Sequence, residues 1–156
     1  MTQQVSQEQR IAFQKAVLAL HKDIPRIGKD STNPHFRNKY VSLPVMLSVI
    51  KPIANKHGFI LSQPIDVGSN RDGMMGNVVM SVLTHAETGL NDIAKLALSD
   101  SLLQKKDMQG LGGAITYGRR YTLSALLGLE EADDDGNLAS GRTSTKKSKI
   151  AKSDDF

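Results

Sequence analysis

Apolar residues recur at helical spacing in three stretches of the chain and at alternating or β-branched spacing in three others. That change of period predicts most of the architecture. In residues 7–21, Ile11, Val17, Leu18 and Leu20 help to form one apolar helix surface, with Ser6 placed as its N-cap. Residues 22–35, KDIPRIGKDSTNPH, are rich in turn formers and predict a loop, and FRNKYVS at 36–42 predicts a short extended piece. A second helix follows: Ser42 caps it, Pro44 suits its first turn, and Val45, Met46, Val49, Ile50 and Ile53 share a face, with Gly58 as the stop. FILSQPID, GNVVMSVLTH and LNDIAKLALS then mix alternating and β-branched apolar residues and predict three strands. The connectors VGSNRDGMM and AETG are turn-rich, so the strands form an antiparallel meander. A third helix begins at Asp107 or Met108 and runs to Leu127. Gly110, Gly112 and Gly113 weaken its start, each by about 1 kcal/mol relative to Ala. Close packing on the sheet or close approach of a ligand must compensate. The predicted fold class is therefore α+β: an antiparallel β-meander with helices packed on one face, a β-β-β-α core, in a single domain of residues 1–136. Residues 137–156 hold almost no large apolar side chain and predict a disordered Lys-rich tail with an acidic tip.

Composition narrows the chemistry. The chain lacks cysteine, which removes disulfide scaffolds and thiolate metal sites or nucleophiles and is compatible with a reducing compartment. No apolar run approaches the roughly 20 residues needed to cross a bilayer. The polar opening MTQQVSQEQR lacks the apolar core of a signal peptide. A protein that stays in the cytoplasm is the expectation. The formal net charge of +4 conceals segregation: residues 10–56 carry nine Lys or Arg against two Asp, whereas EEADDD at 130–135 carries five carboxylates. Charge divided in this way points to a polyanionic partner.

Two segments could carry that partner. In GGAITYGRRYTLSALLGL, Tyr117, Arg120, Tyr121 and Ser124 fall at i, i+3, i+4 and i+7 and share a helix stripe, while Arg119 points about 100° away from Arg120. Guanidinium forks suit phosphate, and aromatic faces stack on bases without regard to sequence. The same spacing also suits amphipathic core tyrosines, with the arginines solvated or paired to EEADDD; helix geometry alone does not choose. In KDSTNPHFRNKYVS, Lys29, Arg37 and Lys39 interleave with His35, Phe36 and Tyr40, the ingredients of a single-strand groove, or of a solvated loop anchored by its two rings. The chain has no GxxxxGK[ST], GxSxG or H-E-x-x-H motif. Read as a calcium loop, Glu131, Asp133 and Asp135 take positions one, three and five, but position twelve is Arg142 and the motif fails. No metal or other cofactor is expected. A metal-dependent nuclease using the 130–135 run is the alternative from another functional class.

GLGGAITYGRRYTLSALLGLEEADDDGN closely resembles the hallmark segment of the ERF (essential recombination function) family of phage single-strand annealing proteins. Ala114, Ile115, Thr116, Tyr117, Arg119, Arg120, Tyr121, Leu127, Gly128 and the aspartates 133–135 match. Upstream, NPHFRNKYVSLPVMLSVIKPIANKHGF is similar to the family's other segment through Asn33, Pro34, Phe36, Arg37 and Tyr40. The resemblance covers about residues 7–137, with Gly118 standing where Ala is common. It implies an ATP-independent protein, not an enzyme, that coats single-stranded DNA, pairs complementary strands and assembles as a ring or filament. The DNA-binding residues would be Lys29, Phe36, Arg37, Lys39, Tyr40, Tyr117, Arg119, Arg120 and Tyr121. A host single-strand-binding protein or a phage exonuclease would be a partner, and the host cytoplasm the location. The ending KKSKIAKSDDF is similar to the acidic, Phe-ended tips with which bacterial single-strand-binding proteins recruit partners.

Overall fold

The computed structural model of the chain describes residues 5–32, 39–69, 75–98 and 107–129. Helix α1 (Gln7–Asp23) starts with a capping box, in which the Ser6 hydroxyl accepts from Gln9 N and the Gln9 side chain accepts from Ser6 N. A two-residue ladder joins β1 (Ser31–Thr32) to β2 (Lys39–Tyr40), and α2 (Leu43–Lys56) follows at once with Pro44 in its first turn. Gly58 ends α2 at a φ of 75°, the left-handed turn expected of it.

The sheet is the predicted meander, with one element more. β5 (Met75–His85) lies at its centre, and β6 (Asn91–Leu98) pairs with it along one edge. The other edge is shared. β3 (Phe59–Ser62) pairs with residues 82–85 of β5, and β4 (Ile65–Ser69) pairs with residues 75–79. The segment FILSQPID is thus two strands broken at Gln63 and Pro64, not one. Pro64 has no N–H to offer a ladder, yet its carbonyl accepts from Met80 N at 3.1 Å and keeps the bent edge on β5. Pairing then continues through Val67, Gly68 and Ser69, the first residues of the turn-rich connector VGSNRDGMM. The β5–β6 turn at 86–90 is as expected, with Gly89 at a φ of 68°.

All three helices cover one face of this sheet. Leu20 of α1, Met46, Ile50 and Ala54 of α2, Phe59 of β3, Leu83 of β5, and Leu123 and Leu127 of α3 (Met108–Leu127) form the core. Fully burying a Leu, Ile or Phe contributes about 1.5–3 kcal/mol each, so this cluster fixes how α3 lies across the strands. Helix α1 is tied in at two points. The Phe13 ring meets those of Phe59 and His85, and Asp23 accepts from Lys56 Nζ at 2.7 Å and contacts His57 Nε2 at 2.8 Å. On the opposite sheet face Ile60 is 58% and Ile93 41% exposed, and no described helix packs there.

The glycines of α3 divide into two kinds. A Cβ on Gly112 or Gly113 would meet nothing within 4 Å, so sheet packing does not compensate for them. Part of the compensation comes from Asp107, whose carboxylate accepts from Gly110 N at 2.7 Å as the N-cap. Close approach to the sheet occurs one to two turns later, at Gly118, where a Cβ would lie 3.2 Å from Val79 Cγ2.

Candidate nucleic-acid interface

The β1–β2 ladder is held by one carboxylate. Asp30 accepts from Ser42 N and Ser42 Oγ, both at 2.7 Å, and from Ser31 Oγ at 3.1 Å, while its own N–H donates to Tyr40 O at 3.1 Å. The Ser42 hydroxyl, with help from its backbone N–H, holds the Asp30 carboxyl below its ordinary value. Because Ser42 precedes α2 directly, this clasp fixes Tyr40 to a rigid element.

Tyr40 meets α3. The Arg120 guanidinium lies over the Tyr40 ring, 4.5 Å from its centroid, and within 5.3 and 5.1 Å of the Tyr117 and Tyr121 centroids. Tyr117 and Tyr121, one helical turn apart, face each other at 4.2 Å between centroids with their hydroxyls hydrogen-bonded. The helix stripe and the early loop therefore converge on one cluster, which contains all three tyrosines of the chain. Tyr117 is 40% exposed, so the cluster opens to solvent. Among the described residues no carboxylate pairs with Arg120. Cation–π contacts at such partly buried positions contribute about 0.5–2 kcal/mol each, and the tyrosine pair about 0.5–1.5 kcal/mol. Ser124, on the same stripe by spacing, is buried, so the stripe leaves the surface before its end.

Arg119 is placed differently from Arg120. Its Nη2 donates to the Gln63 carbonyl at 3.3 Å, and its own carbonyl accepts from Gln63 Nε2 at 2.9 Å. Gln63 Nε2 also donates to Ser81 Oγ at 2.8 Å, and Ser81 Oγ lies 2.8 Å from Thr122 Oγ1. Arg119 Nε is buried without a hydrogen-bond partner. This network ties α3 to the break between β3 and β4, on the inner side of the helix. Sequence reasoning missed Gln63, Ser81 and Thr122, because a polar residue inside a strand or helix pattern carries no mark of the partner it will find.

Of the other expected residues, Lys29, two positions before β1, and Lys39, within β2, are both exposed. Phe36 and Arg37 lie outside the described residues, as do the 130–135 run and the tail. Among the described residues no three His, Asp or Glu side chains gather as a metal site requires. A shallow groove of about 360 Å³ beside α1 is lined by Phe13, Gln14, Val17, Leu18, His21 and Asp92. It contains no Lys or Arg and so offers phosphate little. No helix among the described residues is long and apolar enough to cross a membrane.

A family model described as ERF superfamily matches residues 13–155. The chain belongs to the ERF superfamily. No curated protein and no solved structure matches it. Membership ties the chain broadly to phage recombination and to DNA binding.

Proposed function

We propose that this protein binds single-stranded DNA and anneals complementary strands without ATP, as part of phage-type homologous recombination in the host cytoplasm. The observation that carries the reading is the convergence of Tyr40, Tyr117 and Tyr121 around the Arg120 guanidinium. Annealing breaks no covalent bond, so it needs a surface that neutralises phosphates and leaves base edges free to sample a partner strand. Arg120, Lys29 and Lys39 supply cations to that surface, the family resemblance adds Arg37 and Phe36 as contacts, and the tyrosines provide stacking faces worth about 1–3 kcal/mol per base. Arg119 acts by positioning, holding α3 at the rotation that presents Arg120. The exposed glycines at 112 and 113 leave room for a backbone to approach the start of α3. One small domain contacts few nucleotides, so copies assembled as a ring or filament along the strand would accumulate affinity. A single-strand-binding protein or an exonuclease would be a further partner.

The test is to mix two complementary labelled oligonucleotides with the protein in EDTA and without nucleotide. Duplex should form faster than in its absence. Failure to speed pairing, or loss of the labelled strand only when magnesium is added, would overturn annealing; the second outcome would favour a nuclease.

A further inference from the structure

The three tyrosines of this chain, which has no tryptophan, turn toward one guanidinium. A guanidinium is planar and delocalised, and it lies on aromatic faces much as a nucleobase does. In the free protein Arg120 therefore occupies the surface on which a base would stack. Among the described residues no hydrogen bond or ion pair fixes its guanidinium, in contrast to Arg119, which is bonded to the Gln63 carbonyl. The walls around it are better fixed: Tyr117 and Tyr121 are joined through their hydroxyls, and the Tyr40 backbone is locked by the Asp30 clasp. The arrangement is a built slot with an exchangeable occupant.

Resting on the single-strand-binding reading above, we propose that Arg120 is a plug for a base-stacking slot formed by Tyr40, Tyr117 and Tyr121. An arriving phosphate draws the guanidinium off the rings into a charge-assisted contact, and the adjoining base takes its place. Phosphate capture and base stacking are thereby coupled, so that a polyanion without bases opens the slot but does not fill it. The exchange breaks and forms no covalent bond.

Because the intrinsic fluorescence comes from these three tyrosines, it reports on the slot directly. Wild type, Arg120→Ala and Arg120→Lys, each confirmed folded by circular dichroism, are titrated with oligo(dT) and, separately, with inorganic polyphosphate. For wild type, polyphosphate should change the tyrosine emission without the quenching that oligo(dT) produces. Arg120→Ala should show no response to polyphosphate, bind oligo(dT) more weakly yet reach the wild-type quenching at saturation, and lose about one unit of log–log salt slope. Arg120→Lys should retain that slope, since a lysine still meets phosphate as a point charge. Absence of quenching in a folded Arg120→Ala saturated with oligo(dT), or silence of wild type toward polyphosphate, would overturn the plug. If wild type binds oligo(dT) in a mobility shift without any tyrosine quenching, the plug fails and strand binding stands. If wild type does not bind oligo(dT) at all, the reading beneath it fails too.

Discussion

Successive positions on a helix turn by about 100°, and at Arg119 and Arg120 that rotation separates two surroundings. Arg119 reaches inward to Gln63 and shares a network with Ser81 and Thr122, whereas Arg120 lies over three tyrosine rings at the surface. Truncating Arg119 removes the donor at the Gln63 carbonyl, and stranding such a group costs about 1–3 kcal/mol. Arg119→Ala should therefore lower the melting temperature while leaving the salt slope of strand binding, measured on the folded fraction, at its wild-type value. A lowered slope with unchanged melting would make Arg119 a phosphate contact instead. Asp30 makes a prediction about pH. Its folded-state carboxyl is held down chiefly by the Ser42 hydroxyl, so its contribution is present above the ordinary carboxylate range, near pH 3.9, and is lost as pH falls through the lowered value. Asp23, held down first by Lys56 and then by His57, follows the same sign. Amide resonances of Tyr40 and Ser42 should shift together in acid, and in Asp30→Asn this shift should be absent.

At the scale of elements, α3 makes the sharpest stability prediction. Gly112→Ala and Gly113→Ala place a methyl in open space and should each stabilise by up to about 1 kcal/mol. Gly118→Val must displace Val79 and should destabilise by about 1–3 kcal/mol. Thermal or urea melts of the three variants check both signs. Much of this helix was legible beforehand. Asp107, the apolar period and the Leu-Gly ending at 127 and 128 each mark a boundary by local chemistry, and Gly128 is left-handed with a φ of 59°. The caps at Ser6 and Gly58, the turn at Gly89 and the meander were legible for the same reason. The break between β3 and β4 was not: Pro64 inside a strand pattern hides whether the chain leaves the sheet or bends and rejoins it, and only the pairing with β5 decides. The site was half legible. Spacing put Tyr117, Arg120 and Tyr121 on one stripe and Arg119 off it, but which side met solvent depended on the core around Leu123 and Leu127. That Tyr40 joins the stripe depended on the Asp30 clasp across twelve residues.

At the scale of the molecule, helices occupy one sheet face and the tyrosine cluster lies where α3 meets the short ladder before α2. The excess of basic residues in 10–56 surrounds that approach in sequence and would steer a polyanion toward it. An unpaired strand should lie across the three tyrosines. Photocrosslinking with an oligonucleotide carrying 5-iododeoxyuridine, followed by peptide mass spectrometry, reads this directly. Adducts should fall on Tyr40, Tyr117 or Tyr121. Adducts confined to α1 or to the sheet face around Ile60 and Ile93, with these three residues unmodified, would contradict it.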